Sequence, residues 1–176
     1  MDYTDALNLL KTGNEKYVAG KQNGDYSFSN RKELVKGQSP YAVIVTCSDS
    51  RVIPEAMFSA GLGELFVIRV AGNVLGEHEL GSILYATKHL HTNLVVILGH
   101  THCGAIHAAI NGYEEKHIES LTSMIKNAIG DEQDEVKASK INAAYGRDKV
   151  IPEVGDGVKV ISALFDIETG IVSFEE

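Results

Sequence analysis

Three short apolar runs limit what this chain can fold into more than any other feature. YAVIVT over 41–46, LFVIRV over 65–70 and LVVIL over 94–98 are short, rich in Val and Ile, and almost free of polar residues. Runs of this kind are strands buried on both faces, which occur in parallel sheets covered by helices on either side. The segments between them agree. Pro54 fits the first turn of a short helix through Phe58, and Glu77 to Leu90 has the spacing of an amphipathic helix. A fourth strand reads over Val158 to Phe165, and the turn Glu168-Thr169-Gly170 leads into Ile171 to Phe174, a hairpin adding an antiparallel edge. The expected class is α/β: a mainly parallel four-stranded sheet flanked by helices, with an antiparallel fifth strand at the C-terminal hairpin.

A chain of 176 residues with 44% hydrophobic content buries roughly two thirds of its unfolded surface, enough for one core without staples. One domain over 1–176 is expected, with a helical arm over 1–40 and an α/β core over 41–176. In the arm, Asp5 to Ala19 reads as a helix with Ala6, Leu9, Leu10 and Tyr17 near one face and Gly13 weakening its middle. Ile106, Ala109 and Ile110 suggest another helix, and Ile118 to Ile129 a further one. Asp131, Glu132, Asp134 and Glu135 read as a solvated loop or helix start, and Gly61-Leu62-Gly63 as a turn before the second strand. The stretch KINAAYGRDKVIPEVGDG over 140–157 looks too short and too rich in breakers for a full helix.

Charge excludes some functions. The formal net charge is −8 and Lys and Arg do not cluster, so a phosphate-tracking surface for nucleic acid is not expected. The opening MDYTDALNLL lacks a basic n-region and an apolar h-region, and no apolar run approaches the roughly 18 residues that span a bilayer. The reading is a soluble cytoplasmic protein that does not engage membranes.

The chemistry sits at the ends of the strands. Cys47, in CSDSR, follows the first strand, and Gly99-His100-Thr101-His102-Cys103 follows the third, so both loops open on the carboxyl edge of the sheet. Taken singly, a cysteine is more often a small buried apolar residue than a ligand. Two thiolates and an imidazole at one sheet edge form a soft, borderline set that suits Zn2+. The spacing His-x-x-Cys lets a loop curl so that both side chains face one ion, which selects His100 over its neighbour His102. A disulfide between Cys47 and Cys103 is not needed by a domain of this size.

The pair C-x-D-x-R and H-x-x-C on these two strand ends resembles the β-class carbonic anhydrases. The similarity runs from about Ala6 to Phe174 through GQSPYAVIVTCSDSRV, GELFVIRVAGN, GSILYATKHL, VVILGHTHCGAI and ALFDIETGIV. It implies Cys47, His100 and Cys103 as zinc ligands, Asp49 with Arg51 as a catalytic dyad, and reversible hydration of carbon dioxide to bicarbonate by zinc-hydroxide attack. On this reading Arg51 takes both oxygens of Asp49 and keeps it off the metal, whereas Asp49 as fourth ligand closes the site. Two thiolates blunt the metal's effect on bound water, so activity is expected to rise towards alkaline pH. Gln38, Phe66 and Tyr85 match positions around the substrate in plant-like, open-site members, and Gly104 offers a backbone N–H there. Ile44 stands where one subgroup has a tryptophan at an inhibitory bicarbonate site, so that regulation is not expected. The resemblance also implies a homodimer or higher homo-oligomer in which the amino-terminal helix crosses onto the partner and Gln38 and Phe66 line the neighbour's site. Alternatives on the same motifs are a hydrolase of carbon disulfide or carbonyl sulfide, and a non-catalytic zinc protein with Asp49 as a permanent ligand.

Overall fold

The structure, a computed structural model, describes residues 1–113 and 115–175. Its strands are β1 (Ala42–Thr46), β2 (Leu65–Arg69), β3 (Leu94–His100), β4 (Lys159–Phe165) and β5 (Val172–Glu175). They form one sheet in the order β2-β1-β3-β4-β5, parallel throughout except for the antiparallel β4–β5 pair. The helices are α1 (Tyr3–Val18), α2 (Phe28–Glu33), α3 (Pro54–Met57), α4 (Glu77–His89), α5 (Gly104–Ile110), α6 (Glu119–Ile129) and α7 (Glu135–Val150). The mainly parallel α/β sheet with its antiparallel fifth strand is therefore as expected.

Alternation along the strands divides the core into two layers. Ile44, Val96, Leu98 and Ile161 pack on one face with Leu7 and Leu10 of α1 and with Met57 and Phe58. Val43, Val45, Val95 and Ile97 pack on the other with Ile83 and Ala86 of α4 and with Ala143 and Val150 of α7. A third cluster gathers Ile106, Ala109, Ile125, Ile129 and Ala138 around Cys47 and Cys103. Each fully buried aliphatic side chain contributes on the order of 2 kcal/mol, so the loops that carry the cysteines rest on a firm floor.

Two sequence expectations are corrected. In α1, Leu7 rather than Leu9 meets the sheet, with relative exposures of 6% and 45%. The register is set lower on the helix: a Cβ at Gly13 would fall inside the Phe58 carbonyl, so glycine is what permits the close approach. Beside it the buried Asn14 donates to the carbonyls of Met57 and Gly170 and accepts from the N–H of Val172. The helix lies on its own chain's core.

The second correction concerns 140–157. This stretch is no breaker-rich loop, because its first eleven residues complete α7, a helix of 16 residues. Asp134 caps it by accepting from the N–H groups of Val136 and Lys137, and Pro152 lies just beyond its last residue, in a 3-10 turn over Ile151–Glu153. Gly146 does not break the helix, since it is the contact point. A Cβ there would lie 3.1 Å from Ile97 Cγ2 and 3.3 Å from Leu75 Cδ1. Ser139, Asn142, Ala143 and Gly146 form a narrow face of small residues that lets α7 lie close against β3.

Candidate metal centre

β1 and β3 are paired, with Thr46 beside Leu98, so their exits are neighbours. Cys47 is the first residue past β1, His100 is the last residue of β3, and Cys103 immediately precedes α5. The fold thereby brings the three ligating atoms within 4.8 Å of one another. The two sulfurs are 4.0 Å apart, far beyond the roughly 2.05 Å of a disulfide. That separation is close to the ~3.8 Å edge of a tetrahedron with metal–sulfur bonds of ~2.3 Å.

The imidazole is set for the same purpose. His100 Nδ1 lies 2.8 Å from the Thr101 carbonyl oxygen. A carbonyl only accepts, so Nδ1 carries the proton and donates it, and Nε2 is left with a bare lone pair. Nε2 is buried and has no hydrogen-bond partner among the described residues. A buried unpaired acceptor costs free energy, and a divalent ion between it and the two sulfurs removes that cost. The donor set Cys2His fits zinc on this observation. His102 turns away, with its Nε2 3.2 Å from Glu168 Oε1 at the surface.

The sulfurs are unequal. The thiol of Cys47 is pushed down, chiefly by its contact with the Cys103 sulfur and also by the backbone N–H groups of Gly72 and Asp49, against desolvation. Cys103 is pushed up by the same contact and by burial. A dication held between the two sulfurs would displace their protons.

Asp49 and Arg51 form a closed pair. Arg51 donates from Nε to Asp49 Oδ1 at 2.9 Å and from Nη2 to Oδ2 at 2.7 Å, and its backbone N–H donates to Oδ1 at 2.9 Å. Arg51 holds the Asp49 carboxyl far below the usual carboxylate range. Nη2 also donates to the His102 carbonyl at 3.0 Å, which ties the Asp49 loop to the loop that carries His100 and Cys103. Arg69, at the end of β2, donates to the carbonyls of Cys47 at 3.2 Å and Asp49 at 2.7 Å. Sequence reasoning passed over Arg69, although a charged residue closing an apolar strand beside a ligand loop is a signal for such a role. It also missed Gly72, whose N–H lies 3.3 Å from Cys47 Sγ.

The remaining pocket candidates divide. Gly104 opens α5 next to Cys103, and a Cβ there would meet nothing within 4 Å, so packing does not require a glycine. Phe66 and Tyr85 meet each other with ring centroids 6.2 Å apart. Phe66 pairs with Val43, near the amino end of β1, while Cys47 follows its carboxyl end. Gln38 is exposed and also precedes β1. At ~3.3 Å per residue, β1 alone puts roughly 16 Å between Gln38 and Cys47. Within one chain these three residues are not brought to the Cys47, His100 and Cys103 group. Ile44 is fully buried in β1. His78, His89, His91, His107 and His117 are all exposed.

The carbonic anhydrase family profile matches residues 42–172, which include both ligand loops. The chain belongs to the β-class carbonic anhydrase family. It is 49% identical over 106 residues to carbonic anhydrase 2 of Mycobacterium tuberculosis, a match that covers 60% of this chain and 51% of the relative. The chain thus spans about half the length of the curated relatives it matches. Among solved structures, the β-carbonic anhydrase CcaA is 25% identical with a TM-score of 0.74, over 98% of this chain and 88% of that one. A tetrameric β-carbonic anhydrase of Sordaria macrospora gives 0.71 at 23% identity over 82% of this chain and 84% of that one. A carbon disulfide hydrolase in its apo form shares the fold at a TM-score of 0.60 and 19% identity, over 82% and 86% of the two chains. No helix among the described residues is long and apolar enough to cross a membrane.

Proposed function

We propose that this chain catalyses the reversible hydration of carbon dioxide to bicarbonate and a proton, with zinc held by Cys47, His100 and Cys103. The observation that carries this reading is the buried Nε2 of His100, unpartnered among the described residues, beside two sulfurs 4.0 Å apart, with the neighbouring Asp49 gripped at both oxygens by Arg51. Bound zinc supplies a Lewis acid that makes water a nucleophile near neutral pH. The chain's own residues decide what that nucleophile meets.

Asp49 is the orienting group. Its Oδ1 accepts two hydrogen bonds from Arg51 and its Oδ2 one, so Oδ2 keeps a lone pair that can accept a hydrogen bond from the attacking solvent. Because Arg51 holds Asp49 ionised, this carboxylate aligns the solvent and does not store the departing proton, which leaves to buffer. The same bidentate grip keeps Asp49 from serving as fourth ligand, which favours the open, plant-like arrangement over a closed or purely structural site. Gly104 leaves room beside Cys103 for substrate to approach the backbone. Gln38, Phe66 and Tyr85 complete the pocket from a neighbouring subunit, in a homo-oligomer that acts in the cytoplasm.

Hydrolysis of carbon disulfide or carbonyl sulfide is the second reading, supported by the shared fold alone. Stopped-flow assays of carbon dioxide hydration, with zinc measured in the same samples, test the proposal. Wild type is expected to carry stoichiometric zinc and to hydrate carbon dioxide faster as pH rises. Asp49→Ala should keep its zinc and lose roughly 100-fold in kcat/KM. Full zinc with no hydration at alkaline pH overturns the proposal, and turnover of carbon disulfide in that sample selects the second reading.

A further inference from the structure

The helix that the sequence concealed reaches the metal centre. Asn142 lies in the middle of α7, is 5% exposed, and donates from Nδ2 to the carbonyl of Gly72 at 2.8 Å. Gly72 has φ 66° and ψ 19°, a left-handed conformation that glycine adopts without steric penalty. A Cβ there would also lie 2.6 Å from Ile125 Cδ1 and 3.1 Å from Ala105 Cβ. The N–H of this same residue lies 3.3 Å from Cys47 Sγ and donates to it. The Gly72 carbonyl anchored by Asn142 and the Gly72 N–H aimed at the sulfur belong to one residue with fixed dihedrals. Holding one end therefore aims the other.

We infer that Asn142 is a positioning residue for the Cys47 ligand, acting through Gly72 to keep a backbone N–H on the sulfur. The inference rests on the metal-site reading above. An N–H donor on a ligating thiolate fixes the direction of its lone pairs and lowers their energy, and outer partners of this kind typically set 10- to 100-fold in metal affinity. Asn142 lies 70 residues from Gly72 and 95 from Cys47 in sequence, so only tertiary contact connects them. Without its anchor, the turn over Ala71–Asn73 is free to rotate the N–H away from Cys47.

The test uses purified full-length protein, stripped of metal and reloaded with Zn2+ or Co2+, in wild type, Asn142→Ala and Ser139→Ala. Ser139 is on the same helix, is equally buried, and has a hydroxyl without a partner among the described residues, so it reports the effect of altering α7 alone. Chelator competition gives the zinc Kd, and the sulfur-to-Co2+ charge-transfer band reports the electrons on the sulfur. Asn142→Ala is expected to raise the zinc Kd at least ~10-fold and to move the band to longer wavelength, because a thiolate that loses a donor holds its electrons less tightly. Ser139→Ala should change neither. If Asn142→Ala does not fold, Asn142→Leu, which keeps the bulk but has no donor, is read the same way. A variant with lower metal-free stability but unchanged Kd and band overturns the inference and leaves the proposed function standing. Wild type that binds neither metal through sulfur overturns both.

Discussion

Asp49 gains its place from Arg51, and that dependence gives it a definite pH signature. Its folded pKa lies below the ordinary value of about 3.9, with the side-chain hydrogen bonds from Arg51 as the largest cause. A depressed carboxylate pKa contributes stability that is fully present above the unfolded value and is lost as pH falls through the folded one. Arg51→Gln removes the cause. Denaturant unfolding of metal-free protein should therefore show wild type more stable than Arg51→Gln by a constant margin from about pH 9 to 5, shrinking below about pH 4. A margin that instead disappears between about pH 6 and 8 would assign the effect to a histidine. On the proposed function, Arg51→Gln in zinc-loaded protein should lower hydration at neutral pH while zinc content stays, because Asp49 loses the partner that holds it.

At the scale of elements, one buried polar side chain ties α1 to two distant segments, beside the apolar packing of Leu7 and Leu10. Asn14 pairs with Met57, Gly170 and Val172, which links the helix to α3 and to the β4–β5 hairpin. Asn14→Leu keeps the bulk and leaves two buried carbonyls and one N–H unpaired. We expect a loss of about 3 kcal/mol, seen as a drop in Tm of roughly 6–12 °C; a change of less than about 1 kcal/mol by denaturant titration would show that the three groups find other partners. Asn14, like Asn142, was not legible in the sequence, because a buried amide reveals itself only through carbonyls that fold back from distant segments. The strands and the Cys-His-Cys group were legible for the opposite reason. Short continuous apolar runs and the spacing of C-x-D-x-R and H-x-x-C are local, and parallel strands place their exits side by side. α7 fell between these cases: its packed face is Ser139, Asn142, Ala143 and Gly146, and small residues that permit close approach carry no apolar stripe to recognise.

For the whole molecule, the distribution of candidate pocket residues argues for more than one chain. Gln38 and Phe66 sit towards the amino end of β1 and the Cys-His-Cys group at or beyond its carboxyl edge, and no hinge within a packed five-stranded sheet brings the two together. β2, which carries Phe66, is an edge strand of the sheet, and Tyr85 beside it is 50% exposed, so this side is open to a second copy. If a neighbour supplies Gln38, two inactive variants can repair each other. Asp49→Ala and Gln38→Ala, each weak alone, are mixed after reversible dissociation and reassembled at equal concentration. In a mixed pair, one site then has Asp49 from one chain and Gln38 from the other, while the second site lacks both. Random pairing through a twofold interface should recover about one quarter of wild-type activity. Activity no higher than the mean of the two separate variants would place Gln38 outside the pocket, and a monomer in sedimentation at assay concentration would remove the shared site altogether.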